Sequence, residues 1–231
     1  MKITSIKSHV LRYELEEELG YSQQYYKHRT AHLVEIETDE GITGWGECFG
    51  PGNIALANKF IVEKVIQPLI KGENPTNKEY IWHKVYNSLR DSGQKGMPIQ
   101  ALSGIDIALW DILSKKANLP LYQLLGGKCN NQIPVYGYGM MLQKKPVEQL
   151  IELFQKEAKE IKEKNFKAMK MKIGIGPKDD LKLVKAVREA IGDDYKLMVD
   201  ANHAYNLSDA LYVGKGLDEM NIYWFEEPVA P

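Results

Sequence analysis

From residue 133 onward the sequence repeats one rhythm, and this alternation restricts the fold more than any other feature. An apolar run over 133–138 (IPVYGY) predicts a short strand, and 146–164 predicts an amphipathic helix with Pro146 near its first turn. A strand over 168–173 (AMKMKI), a helix over 180–191 and a strand over 196–200 (KLMVD) follow. Next come a helix over 207–220, opened by Ser208 and Asp209, and a strand over 222–226 (IYWFE). The repeat, roughly 30 residues long, is that of a βα unit. Four such units predict a parallel sheet or the beginning of a (β/α) barrel, because parallel strands need helical crossovers. Four are too few to close an eight-fold barrel.

The part before this rhythm reads differently. Ile3, Ile6, Val10 and Leu11 lie in a β-rich opening segment. Residues 21–29 hold three tyrosines and two glutamines without periodicity, and read as a loop. Residues 32–38 alternate at period two, 39–41 (DEG) form a turn, and 43–48 (TGWGEC) pair back as a hairpin. From Ala55 to about Lys116 the period becomes helical. Phe60, Val62, Val65, Ile66 and Leu69 make one apolar stripe, and Ile81, Val85, Tyr86 and Leu89 a second. A third helix carrying Ile105, Ile107, Ala108, Leu109 and Ile112 is apolar nearly all round and is expected to be buried. The chain therefore divides into a three-strand, three-helix α+β domain over 1–130 and four βα units over 131–231.

Composition removes several classes of function. Of 231 residues 44% are hydrophobic and 26% charged, an ordinary globular balance. The net charge of −1 gives no electrostatic case for nucleic acid or an acidic membrane surface. No apolar run is long enough to span a bilayer, and the alternating N-terminus lacks the apolar core of a signal peptide. Cys48 and Cys129 suggest neither a disulfide framework nor a metal site, so a reducing, cytoplasmic compartment is expected.

Chemistry-bearing residues gather at the strand ends. Lys170 and Lys172, two apart on one strand, point the same way, opposite to Met169, Met171 and Ile173. On an inner barrel face each would lower the other's pKa by like-charge repulsion, with partial burial adding to the shift, and so prepare a general base. On an edge strand they would be two surface lysines. Asp200 ends the next strand, with Asn202 two residues on, and Glu226 ends the one after, followed by Glu227 and Pro228. Carboxylates at the carboxyl ends of parallel strands converge on one mouth, and oxygen ligands of this kind suit Mg²⁺. Singly, Asp200 reads equally as a helix cap and Glu226 as a solvated loop carboxylate; the conjunction in consecutive units is what favours a site.

Lys170-Met-Lys172, Val199-Asp-Ala-Asn202 and Trp224-Phe-Glu-Glu-Pro228 resemble three successive barrel-strand motifs of the enolase superfamily, in the family of mandelate racemase and muconate lactonizing enzyme. Residues 44–48 (GWGEC), 101–111 (ALSGIDIALWD) and 124–127 (LLGG) resemble its capping-domain signatures, so the likeness is collinear over the chain. Within the family it is similar to galactarolactone cycloisomerases and related acid-sugar enzymes. The resemblance implies an α/β fold with an α+β cap: an enolase-like N-terminal capping domain plus the first half of a (β/α)7β TIM-like barrel. It implies Mg²⁺ on Asp200 and Glu226, Lys172 removing the proton α to a carboxylate, Lys170 beside it touching that carboxylate, and an enediolate stabilised by the metal's charge. Asn202 would orient the site or contact substrate, and His203 is expected to pack. Residues 21–29 and 49–53 would close over the mouth, with Tyr21, Tyr25, Tyr26, His28 and Arg29 offering groups to a polyhydroxylated acid; a sticky aromatic surface loop is the plain alternative.

The implied reaction is that of a cycloisomerase acting on an acid sugar or its lactone, or else of an acid-sugar dehydratase. Lys-x-Lys is shared with dipeptide epimerases and muconate-type cycloisomerases. The family's third metal ligand and its His-Asp dyad belong to later strands. The chain is therefore expected to be part of a longer, homo-oligomeric protein and inactive alone, or else the partner subunit of a split barrel.

Overall fold

A computed structural model describes Met1–Pro231, and its contacts divide the chain into two compact units. The first is Met1–Glu14 with His28–Asn131, the second Leu15–Lys27 with Gln132–Pro231. Residues 15–27, which the sequence groups with the first 130, thus pack in the second unit.

The first unit is built on a three-stranded sheet of order β1 (Ile3–Tyr21), β2 (Gln24–Thr38) and β3 (Thr43–Cys48). β2 and β3 pair antiparallel, with Val34 opposite Gly46 and Ile36 opposite Gly44. Gly41 closes their turn at φ 78°, a left-handed conformation that glycine adopts without a Cβ clash. Residues 21–29 are not a loop. Only Ser22 and Gln23 separate two long strands, and backbone pairing holds this stretch extended although its side chains lack a period-two pattern.

The helices of this unit are α1 (Ile54–Phe60), continued by a π-helical segment (Ile61–Ile66) into α2 (Gln67–Ile70), then α3 (Lys78–Leu89), α4 (Met97–Ala117) and the single turn α5 (Leu121–Leu124). Their apolar stripes meet the sheet in one core that includes Ile6, Val34, Ile36, Val62, Ile66, Ile81, Val85, Ile105 and Leu109. α4 leaves two large apolar residues exposed, Met97 at its start (41%) and Ile107 (45%), so it is not buried all round. It lies so close on β3 that a Cβ at Gly46 would overlap the carbonyl oxygen of Gly104.

The second unit holds a parallel sheet of order β4 (Gly137–Tyr138), β5 (Ala168–Lys172), β6 (Lys196–Asp200) and β7 (Trp224–Glu226). The crossovers are α6 (Val147–Glu163), α7 (Pro177–Ile191) and α8 (Leu207–Glu219). There are thus three complete βα units and a fourth strand, where four units were expected. β4 is shorter than predicted: Ile133 and Val135 are 78% and 66% exposed, and only Gly137 and Tyr138 pair with β5. Leu150, Phe154, Ala158 and Ile161 recur along one face of α6 and pack with α7 and α8 on Met169, Met171, Leu197 and Val199. That burial leaves the opposite sheet face to the residues of alternate parity.

Buried polar groups fix the ends of these elements. α7 starts at Pro177, earlier than expected, and its Asp180 is wholly buried. The Asp180 carboxylate accepts from the N–H groups of Gly174, Ile175 and Gly176 (2.8, 3.1 and 3.0 Å) and from the Tyr205 hydroxyl (2.6 Å). It ties the turn after β5 to the segment after β6. α8 is capped by Asn206, whose side chain accepts from the Asp209 N–H, and not by Ser208. At the opposite end Arg188 donates to the carbonyls of Gly192, Tyr195, Met220 and Asn221, closing the last turns of α7 and α8. No helix is long and apolar enough to cross a membrane.

Candidate functional site

The parallel register aligns the charged residues that the sequence singles out. Lys172 is level with Asp200, and Asp200 with Glu226, so three charged side chains share one row at the carboxyl ends of β5, β6 and β7. Lys170 lies two residues deeper on the same face, level with Tyr138 of β4 and Met198 of β6. β5 pairs on both sides and both lysines are buried, which sets aside the reading of surface lysines on an edge strand.

Burial of two ammonium groups demands partners, and the strand ends supply them. Lys172 Nζ donates to Asp200 Oδ2 and to Asn202 Oδ1, both at 2.6 Å. Lys170 Nζ donates to Glu226 Oε2 at 2.7 Å and lies 3.7 Å from Asp200 Oδ2. Two cations thus face two anions. Aromatic rings line the deeper layer: Lys170 sits over Tyr136 (5.5 Å) and Tyr138 (5.8 Å), and Lys172 over Tyr138 (5.7 Å). Trp224 Nε1 donates to Glu226 Oε2 at 3.2 Å.

The expected depression of the lysine pKa is not found at Lys170. Burial works against its ammonium, but the hydrogen bond and charge of Glu226, with Tyr136 and Asp200, outweigh burial and hold the pKa above the ordinary lysine value. The sequence shows two like charges side by side; the fold interposes carboxylates, and opposite charge at 2.7 Å dominates.

The loops after β6 and β7 are laced together. Asn202 donates from its backbone N–H to Asp200 Oδ1 (3.0 Å) and from Nδ2 to Glu227 Oε2 (2.9 Å). His203 is partly exposed and lies between Val229 O (3.1 Å from Nδ1) and Glu227 Oε2 (3.5 Å from Nε2). The tip of the β1–β2 hairpin is fastened to the same place: Ser22 Oγ lies 2.7 Å from Ala201 O and 2.9 Å from Asn202 O, and Gln23 Nε2 donates to His203 O. Tyr21 and Tyr25 stand on this tip. Tyr25 packs against the core of the second unit, under Lys144 at 5.2 Å, and burial raises its pKa. His28 and Arg29 belong to the first unit.

The fold thus joins Lys170, Lys172, Asp200, Glu226 and Asn202 in one hydrogen-bonded cluster. It adds Ser22, Tyr136, Tyr138, Trp224 and Glu227, which the sequence reading left without a role. Trp224 was legible, two residues before Glu226 and hence on its face. Tyr138 was not, because which residue of β4 stands beside Lys170 depends on register.

The donor set bears on a metal. Asp200 and Glu226 place two carboxylates on adjacent strand ends, and Glu226 is one-third exposed. No group of three or more His, Cys, Asp or Glu is gathered. Two carboxylates suit Mg²⁺, which commonly uses one or two and completes its shell with water and substrate oxygens. The residues present fit that ion and not one needing an all-protein cage.

Residues 19–126 match the family described as mandelate racemase / muconate lactonizing enzyme, N-terminal domain, and residues 153–231 that described as enolase C-terminal domain-like. The chain is 42% identical over its whole length to D-galactarolactone cycloisomerase of Agrobacterium fabrum, of which it covers 60%. It is 39% identical to arabinonate dehydratase of Saccharolobus solfataricus, over 85% of the chain and 52% of that enzyme. A Streptomyces coelicolor racemase solved with bound magnesium superposes with a TM-score of 0.90 at 31% identity, over 99% of this chain and 63% of that one. The chain spans a little over half the length of these curated relatives.

Proposed function

The chain belongs to the enolase superfamily, in the family of mandelate racemase and muconate lactonizing enzyme, and from that premise we propose that it supplies the metal-binding and first proton-transfer groups of an acid-sugar enzyme. The observation that carries the proposal is the buried row of Lys172, Asp200 and Glu226 with Lys170 beneath it. A structural ion pair needs one lysine and one carboxylate. Two of each, at the carboxyl ends of three parallel strands, exceed that need and offer a base, a second cation and two metal ligands for abstraction of a proton next to a carboxylate.

Lys172 takes the α-proton at Nζ, acting as the neutral amine. The ammonium so formed can donate to Asp200 Oδ2 and Asn202 Oδ1, each 2.6 Å from Nζ. Lys170, kept cationic by Glu226 and Asp200, contacts the substrate carboxylate, where negative charge grows as the proton leaves. Asp200 and Glu226 would hold Mg²⁺, which when bound would supply positive charge to that carboxylate. Residues 1–130 are the capping domain and 131–231 the barrel part, and within the second unit Tyr21, Tyr25 and Asn202 contact the sugar hydroxyls.

Identity to the galactarolactone cycloisomerase over the full chain favours cycloisomerisation, in which the α-proton is removed and the lactone opened. The arabinonate dehydratase gives the second reading, loss of a β-hydroxyl as water. The cluster brings together two carboxylates and the two lysines of a single strand, and on this reading the 231-residue chain is inactive by itself. Its free cysteines suit a cytoplasmic setting.

The test incubates the 231-residue chain and the product of the complete reading frame with a panel of aldonates, aldarates and their lactones in D₂O, with Mg²⁺ or with chelator. Proton NMR at the α-carbon should show Mg²⁺-dependent exchange or turnover by the complete product, abolished by Lys172→Ala, and none by the 231-residue chain. No exchange with any acid sugar by the complete product would sink the proposal.

A further inference from the structure

Glu227 has no part in the chemistry above, yet its conformation is unusual. Its φ is 45°, in the left-handed region where a side chain meets its own backbone and glycine does not. Asn202 and His203, across the same junction, also have positive φ, 46° and 64°. Three successive main-chain bonds fasten the two loops: Ala201 N–H to Glu226 O (3.0 Å), His203 N–H to Glu227 O (2.7 Å) and Tyr205 N–H to Pro228 O (3.0 Å). Those bonds require nothing of the side chain at 227, and glycine would satisfy them with less strain.

What the side chain does is set the polarity of Asn202. A primary amide has a donor end and an acceptor end, and Asn202 stands between a group that only donates and a group that only accepts. The Lys172 ammonium faces Oδ1 at 2.6 Å, and Glu227 Oε2 faces Nδ2 at 2.9 Å. Turned over, the amide would present its N–H₂ to an ammonium and its carbonyl to a carboxylate. Lys172 alone leaves the amide free to swing away on its Cβ–Cγ axis; the second contact fixes the plane. Glu227 Oε2 is also 3.5 Å from His203 Nε2, so the carboxylate is itself held from a second side.

We propose that Glu227 is a positioning residue that locks the Asn202 side-chain amide with Oδ1 toward Lys172 Nζ. The lock rests on the reading of Lys172 given above only for its catalytic consequence; the contact itself is independent of any reaction. Through it, Glu227 fixes the direction from which the Lys172 amine meets the α-proton, since Asn202 Oδ1 and Asp200 Oδ2 are the two acceptors that aim Nζ.

The test follows the Asn202 amide by NMR in the protein labelled with ¹⁵N-asparagine, without metal or sugar, comparing Glu227→Gln, Glu227→Leu and Glu227→Gly. Asn202→Asp identifies the signal. The Asn58 amide, bonded to Phe49 O in the first unit, reports that the fold persists. The parent and Glu227→Gln, whose side-chain carbonyl still accepts, should keep the two Asn202 amide protons apart from those of exposed asparagines. Glu227→Leu and Glu227→Gly should lose that separation, although the glycine relieves the strained φ. In the exchange assay on the complete product, Glu227→Leu should lower kcat about tenfold with KM nearly unchanged, as for other residues that orient a reacting group, and Glu227→Gln should restore it. An Asn202 signal unmoved in the leucine and glycine variants, or lost equally in glutamine, overturns the proposal. So does exchange that proceeds undiminished in Glu227→Leu. Should no acid sugar react at all, the amide signals still decide whether the lock exists.

Discussion

Asp200 holds two buried cations at once, so neutralising it should destabilise the protein well beyond the loss of one ion pair. Its Oδ2 lies 2.6 Å from Lys172 Nζ and 3.7 Å from Lys170 Nζ, and all three side chains are at most 8% exposed. At an effective dielectric constant of about 20 these separations correspond to roughly 6 and 4 kcal/mol of gross attraction. Desolvation of the three groups cancels much of it, and removal of one partner from a buried pair typically costs about 3–5 kcal/mol. Asp200→Asn preserves the shape and one acceptor, so the lower end applies, about 3 kcal/mol. For a chain of this size that is a fall in Tm of about 10 °C, read by circular dichroism. Salt at roughly half-molar should change the fall little, because buried charges are weakly screened. Adding Lys172→Met removes the surplus cation and leaves Lys170 with Glu226, so the double variant should recover at least half of the loss. A Tm within about 2 °C of the parent for Asp200→Asn would contradict the charge balance, and so would a double variant no more stable than the single one.

Two further outcomes concern the first unit. His32 is fully buried without a hydrogen-bond partner, and burial, reinforced by the charge of Lys59 and opposed by Glu63, lowers its pKa from 6.5. The unfolded chain therefore takes up a proton that the folded one refuses, so the stability that neutral His32 permits is complete above pH 6.5 and is lost as pH falls, by up to about 1.4 kcal/mol per pH unit; urea midpoints for the parent should drop on acidification more steeply than for His32→Phe, and equal slopes would refute this. Gly46→Ala would thrust a methyl group against the backbone of Gly104 and Ala108 and should cost about 2–3 kcal/mol in urea unfolding, since two backbones must separate where a side chain could have turned.

Why the site was more legible than the sheet that carries it follows from the range of the forces involved. That Lys170 and Lys172 share a face is a property of one strand and needs only the period of two, which the burial of Met169 and Met171 on the other side bears out. That Asp200 and Glu226 end their strands is equally local. The hairpin at 21–29 was invisible for the opposite reason: its extended form comes from pairing between strands, and its tip is fixed by Ser22 reaching carbonyls some 180 positions away. The shortness of β4 likewise reflects pairing, since apolar Ile133 and Val135 find nothing to cover them in the described chain.

The direction of the Lys170 shift is the most instructive case. Reasoning from the chain alone could count the neighbouring lysine, fixed at i+2, but not Glu226, 56 residues on, which approaches to 2.7 Å. Electrostatic sign depends on the nearest charge, and in a parallel sheet the nearest charge comes from the adjacent strand as readily as from the same one. Any lysine pair on a barrel strand should accordingly be judged with the carboxylates one and two crossovers later, and here those are Asp200 and Glu226, the same residues that suit a divalent cation. The groups that keep Lys170 charged are thus the groups that would hold the metal, and a change at either must be felt at both.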